Sequence, residues 1–93
     1  MRLWLHLEER TFDPPVAVHR WLDSSFIPEV GDYLHMGGHR FDVRHRFWEV
    51  DDDYVGIAVE AVDSDFEMSR GHRIVALAQA GWVEHPASGH LKA

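Results

Sequence analysis

The sequence predicts a mainly β (α+β) domain: a small twisted antiparallel sheet or partly open barrel with a C-terminal helix. Three observations carry this. Leu3, Leu5 and Leu7 alternate with Trp4 and His6, the period of a half-buried strand. Gly37-Gly38 sits between two apolar runs, where a two-residue hairpin turn needs positive φ angles. Helical spacing with start and stop signals is clear only from Arg70 to Ala80.

The elements follow in order. Residues 3 to 7 form the first strand, and Glu8 to Pro15, with Asp13 and two prolines, is a connection. Val16 to Leu22 reads two ways. Asp13-Pro14 resembles a helix start and Val18, Trp21 and Leu22 have helical spacing, so a short helix is expected, although Val16-Ala17-Val18 also suits a strand. Gly31 to Met36 and His39 to Val50 make a hairpin that sets Leu34 opposite Phe41. Asp51-Asp52-Asp53 turns the chain, and Tyr54 to Val62 is the next strand. After a polar loop, Ser69 is positioned to cap the helix. Ile74, Leu77 and Ala78 form its expected buried stripe, and Gly81-Trp82 matches a Schellman ending. Residues 1–86 are expected to be one domain and residues 87–93 a flexible tail.

Phe41, Val43, His45 and Phe47 fall on one face and Arg40, Asp42, Arg44, Arg46 and Trp48 on the other, which gives a register. Pairing Val50 with Tyr54 sets Phe47 opposite Ile57 and His45 opposite Val59 on the inner face. Arg44 then meets Glu60, and Trp48 lies over Gly56, on the outer face.

Pro28-x-Val30-Gly31-Asp32 followed by Gly38-x-x-Phe41-x-Val43 resembles a pattern in small uncharacterised bacterial and phage β-barrel proteins of SH3-like shape. The resemblance covers a short stretch and implies a fold. It transfers no catalytic residue.

Composition excludes several classes. The chain of 93 residues is 45% apolar, which fits one globular domain. No segment reaches the roughly 18 apolar residues needed to span a bilayer, and the short, polar start Met1–Glu8 is not expected to act as a signal peptide. Cysteine is absent, so disulfides and thiolate chemistry are excluded, and a reducing cytoplasm is expected. A net charge of -7 argues against phosphate-driven nucleic-acid binding. No nucleophile elbow, phosphate loop or zinc helix is present, so no catalytic residues, no cofactor and no enzyme activity are expected.

Eight histidines stand beside nine Lys plus Arg. His35, His39 and His45 fall on different faces of one hairpin, and His85 and His90 near the end, so they read as surface and strand residues. His45 is expected inside as a hydrogen-bonded core histidine. A His-dependent metal site is the alternative. Trp4, Trp21 and Trp82 read as core or cover residues, with Trp48 the ring most suited to an interface.

Charge is the more informative pattern. Residues 47–69 hold eight acids and no Lys, Arg or His, directly after an Arg-rich strand. The expected function is a non-enzymatic acidic module that binds another protein with a basic surface, in concrete form an inhibitor or accessory factor of phage or plasmid type. The expected contact residues are Trp48, Asp51, Asp52, Asp53, Asp65 and Glu67, with Arg44 and Arg46 at the rim. Self-association of an exposed strand into a homodimer is also expected. The alternative is a single-stranded nucleic-acid binder using Arg40, Arg44, Arg46 and Trp48.

Overall fold

Alternation builds the centre of the molecule. A computed structural model describes residues 1–62 and 69–84. The first strand, β1 (Arg2–Glu9), buries Leu3, Leu5 and Leu7 and turns Trp4 and His6 the other way. The other strands are β2 (Val16–Asp23), β3 (Tyr33–Met36), β4 (His39–Glu49), β5 (Tyr54–Ala61) and β6 (Val83–Glu84). All six form one sheet in the order β3-β4-β5-β1-β2-β6. The sheet is mixed rather than antiparallel, because β1 pairs in parallel with β5. It keeps two free edges, so it is not a closed barrel.

Val16–Leu22 is a strand, not the expected helix. All eight residues of β2 pair with β1, and Val16, Val18 and Leu22 stand opposite Glu9, Leu7 and Leu3. Long-range pairing overrides the helix-start signal at Asp13-Pro14.

The β3–β4 hairpin forms as the sequence predicts. Leu34 lies opposite Phe41, and Gly37 and Gly38 take φ angles of 60° and 83°, which side chains with a Cβ rarely adopt.

The β4–β5 register departs from expectation at one residue. Val43 pairs with Val59 and His45 with Ala58, so Arg44 is extra and bulges. One added residue exchanges the two faces beyond it. His45 and Phe47, expected inside, are exposed and stand opposite Ala58 and Gly56. Arg46 and Trp48, expected outside, stand opposite the buried Ile57 and Val55 at the rim of the core face. Phe47, not Trp48, lies over Gly56.

The helix α1 (Arg70–Gln79) covers the core face. Ser69 Oγ accepts from His72 N at 3.2 Å. At the other end Gly81 N donates to Ala78 O and Trp82 N to Leu77 O, at 3.0 and 3.1 Å, the paired bonds of a Schellman ending. Trp82 is thereby buried against Phe41, with ring centroids 5.3 Å apart. The expected stripe is correct for Leu77 and, at the core margin, Ile74; Ala78 is exposed. Its place is taken by Arg73, whose Nε and Nη2 donate to the Glu9 carboxylate at 2.7 and 3.0 Å. The two side chains are 2% and 7% exposed. An ion pair this deep is tolerated because both guanidinium and carboxylate find bidentate partners. Arg20 reaches from β2 to donate to Ala80 O at 2.6 Å, and Arg70 donates to Pro14 O at 2.8 Å. These tethers leave the opposite, outer face of the sheet without a covering helix among the described residues.

The expectations for Asp65 and Glu67, for the boundary at residue 86 and for the tail 87–93 fall on residues outside the described ones.

Candidate functional site

The outer face is built from the residues that alternate with the core. From β1 come Arg2, Trp4, His6 and Glu8; from β2 His19 and Trp21; from β5 Tyr54, Gly56, Ala58 and Glu60. Beyond the bulge β4 adds His45, Phe47 and Glu49. Strand order brings four large rings into one row. Phe47 meets Tyr54 at 6.5 Å, Tyr54 meets Trp4 at 6.4 Å, and Trp4 meets Trp21 at 6.5 Å between centroids. Trp21 and Tyr54 also meet edge to face at 5.0 Å. His6 stacks on Trp4 at 5.4 Å, and His19, directly opposite His6, lies 6.0 Å from Trp4.

Two details position the row. Gly56 leaves room for Phe47, whose ring occupies the place where a Cβ would stand. Arg2 lies over Trp21 at 4.4 Å, a cation–π contact at the end of the row. Trp21 and Phe47 remain 46% and 44% exposed, so the rings offer apolar area to a partner. Burial among the rings, then the charges of Glu49 and Asp52, raises the Tyr54 phenol above its ordinary value near 10, opposed by Arg2.

Beyond His6 the face becomes charged. An open groove of about 800 Å³ runs over Ala58 between His6, Glu8, Asp42, Arg44 and Glu60. Its arginines are engaged, Arg44 with Glu60 and Arg10 with Glu8 at 2.8 Å, and Asp42 at its margin holds Arg40 at 2.9 Å. The hydrogen bond that Arg44 donates to Glu60, and then the charge of that carboxylate, raise the Arg44 guanidinium above its ordinary value.

The residues predicted as contacts are distributed unequally. Asp51, Asp52 and Asp53 form an exposed turn that leads straight into Tyr54, so the acidic cluster flanks the aromatic row beside Tyr54. Arg44 is on the outer face, held by Glu60 as expected. Arg46 is turned to the other side and donates to Pro28 O at 3.2 Å. Trp48 is 57% exposed but stands on that side too, apart from the row. The bulge therefore divides Arg40 and Arg44 from Arg46 and Trp48, which were expected to share one basic face. Among the described residues no group of three or more His, Cys, Asp or Glu is placed to hold a metal ion. Also among them, no helix is long and apolar enough to cross a membrane.

Sequence reasoning missed Trp4, Trp21, Tyr54 and Phe47 as a set. The signal was the parity of each strand: Trp4 opposes the leucines, Trp21 opposes Val16 and Val18, and Tyr54 shares parity with Gly56 and Ala58. Comparison with protein-family models, curated proteins and solved structures finds no match to this chain.

Proposed function

We propose that the protein is a non-enzymatic binding module that docks another protein on the outer face of its sheet. One observation carries the reading: the row Phe47–Tyr54–Trp4–Trp21 crosses four strands on the face opposite the helix. Large exposed rings are the side chains that most often carry interface energy. Asp51, Asp52 and Asp53, beside Tyr54, form an acidic rim that steers a basic partner surface toward the rings. An inhibitor or accessory factor, acting by occupying its target, is the concrete form.

Single-stranded nucleic acid also stacks on rows of rings. Charge favours a protein here. Glu49 and Asp52 lie beside Tyr54, and the arginines of this face are engaged by carboxylates or by Trp21. A phosphate backbone following the rings would meet acids with few free cations to release counterions.

The test compares wild type with Trp21→Ala and with Val75→Ala, the latter on the exposed side of α1. A protein that co-purifies from the native host should be lost with Trp21→Ala and kept with Val75→Ala. Equal retention by both variants, or retention of single-stranded oligonucleotide instead, contradicts the reading.

A further inference from the structure

β4 outruns its neighbour. β3 pairs only with His39–Asp42. The last backbone contacts on that edge are Gly31 N to Val43 O and Val43 N to Asp32 O, at 3.0 and 2.9 Å. The chain before β3 then turns away, closed by Asp32 N to Glu29 O and by Glu29 N to the Asp32 carboxylate. From Arg44 to Glu49 no strand among the described residues lies beyond β4. His45 to Glu49 are held on their other side by β5, from Ala58 to Tyr54. This is a preformed strand edge that no strand among the described residues covers.

Edges of this kind are usually guarded by charge. The two arginines that would guard this one are drawn away. Arg44 is held by Glu60 and Arg46 by Pro28 O. Phe47 and Trp48, next along the strand, are left exposed on its opposite faces.

We propose that His45–Glu49 pairs antiparallel with the same segment of a second copy, around a two-fold axis at Phe47. Directly opposed residues on antiparallel strands share a face. His45, Phe47 and Glu49 share the outer face, and Arg46 and Trp48 share the other. Centring on Phe47 respects both sets and makes every pair complementary. Phe47 meets its own copy, each His45 meets a Glu49, and each Arg46 meets a Trp48. Centring on Arg46 sets two arginines against each other. Centring on Trp48 sets Phe47 against Glu49 and runs past the strand end. The contact is isologous and closes as a dimer. It joins the two sheets edge to edge, so that the two aromatic rows meet at the axis. It rests on the edge of β4 and holds whether or not the outer face docks a partner.

The chain has no cysteine, which makes the register testable. In the proposed dimer position 47 faces its own copy with Cα atoms about 4.5–5.5 Å apart, within disulfide reach. Position 45 lies four residues from its own copy, about 13 Å at 3.3 Å per residue, which is out of reach. Phe47→Cys should therefore oxidise to a covalent dimer at least tenfold faster than His45→Cys or Glu49→Cys. Light scattering should give wild type a mass rising toward twice the monomer with concentration. Glu49→Lys should weaken the dimer at least tenfold, and adding His45→Glu to it should restore the dimer. Far-UV circular dichroism checks that each exposed-edge variant folds. A wild-type monomer up to millimolar concentration, equal oxidation at 45, 47 and 49, or no recovery in the double variant overturns the proposal.

Discussion

Phe47 lies over Gly56 of the neighbouring strand, in the space where a side chain at position 56 would begin. The outer face depends on this contact, because it brings the β4 ring level with Tyr54 and Trp4. Gly56→Ala should expel Phe47 from the row and destabilise the fold by about 1–3 kcal/mol, the usual cost of overpacking. Chemical denaturation and the near-UV aromatic spectrum would both register it. An unchanged spectrum would mean that Phe47 does not rest there.

Arg73 and Glu9 behave as a unit. Removing one partner leaves a buried charge without compensation, so Arg73→Met should cost about 3–5 kcal/mol. The paired change Arg73→Met with Glu9→Leu should recover part of that loss, since neither charge is then left buried without the other. A double-mutant cycle by urea denaturation reads the coupling.

Trp21→Ala should separate binding from folding. The ring is exposed and touches Trp4 and Tyr54 at the margin of the row. Its loss should cost about 0.5–1.5 kcal/mol of stability, the scale of an aromatic pair. Partner affinity should fall at least tenfold. A loss of several kcal/mol in stability would make Trp21 structural.

Steering belongs to the turn. Asp51→Lys with Asp52→Lys should slow partner association and flatten its salt dependence while the fold survives. Asp53 is left in place because its φ of 59° suits Asp better than Lys. Stopped-flow association at two salt concentrations is the measurement.

Tyr54 gives the pH dependence. Its phenol is raised by burial, then by Glu49 and Asp52. A raised acid favours its neutral form in the folded state. Its contribution to stability is therefore present below the unfolded value near 10 and lost as pH rises through the folded value above it. Absorbance titration of phenolate should show an ionisation above pH 10 that Tyr54→Phe removes and Glu49→Gln moves down.

Local signals were legible in the sequence, and long-range ones were not. The leucine alternation, the Leu34–Phe41 pairing, the Ser69 cap and the Gly81–Trp82 ending each involve residues close in the chain, and each stands in the structure. The bulge at Arg44 was masked, because Phe41, Val43 and Phe47 keep one parity through it; polar His45 and Glu49 on that same parity are its trace, and β5 shows the extra residue. The strand Val16–Asp23 was hidden by a local helix signal that pairing with β1 overrides. The aromatic row was written in the parity of four strands. Reading it required knowing that β1 lies between β5 and β2, a parallel neighbour that no turn encodes.

The central claim is that partners dock on the outer face of the sheet. A photoreactive residue replacing Asp23, exposed beside Trp21, tests it directly against one replacing Val75 on the exposed side of α1. Irradiation in the native host should cross-link position 23, and not position 75, to one discrete protein. Cross-linking from position 75 with none from position 23 would contradict it.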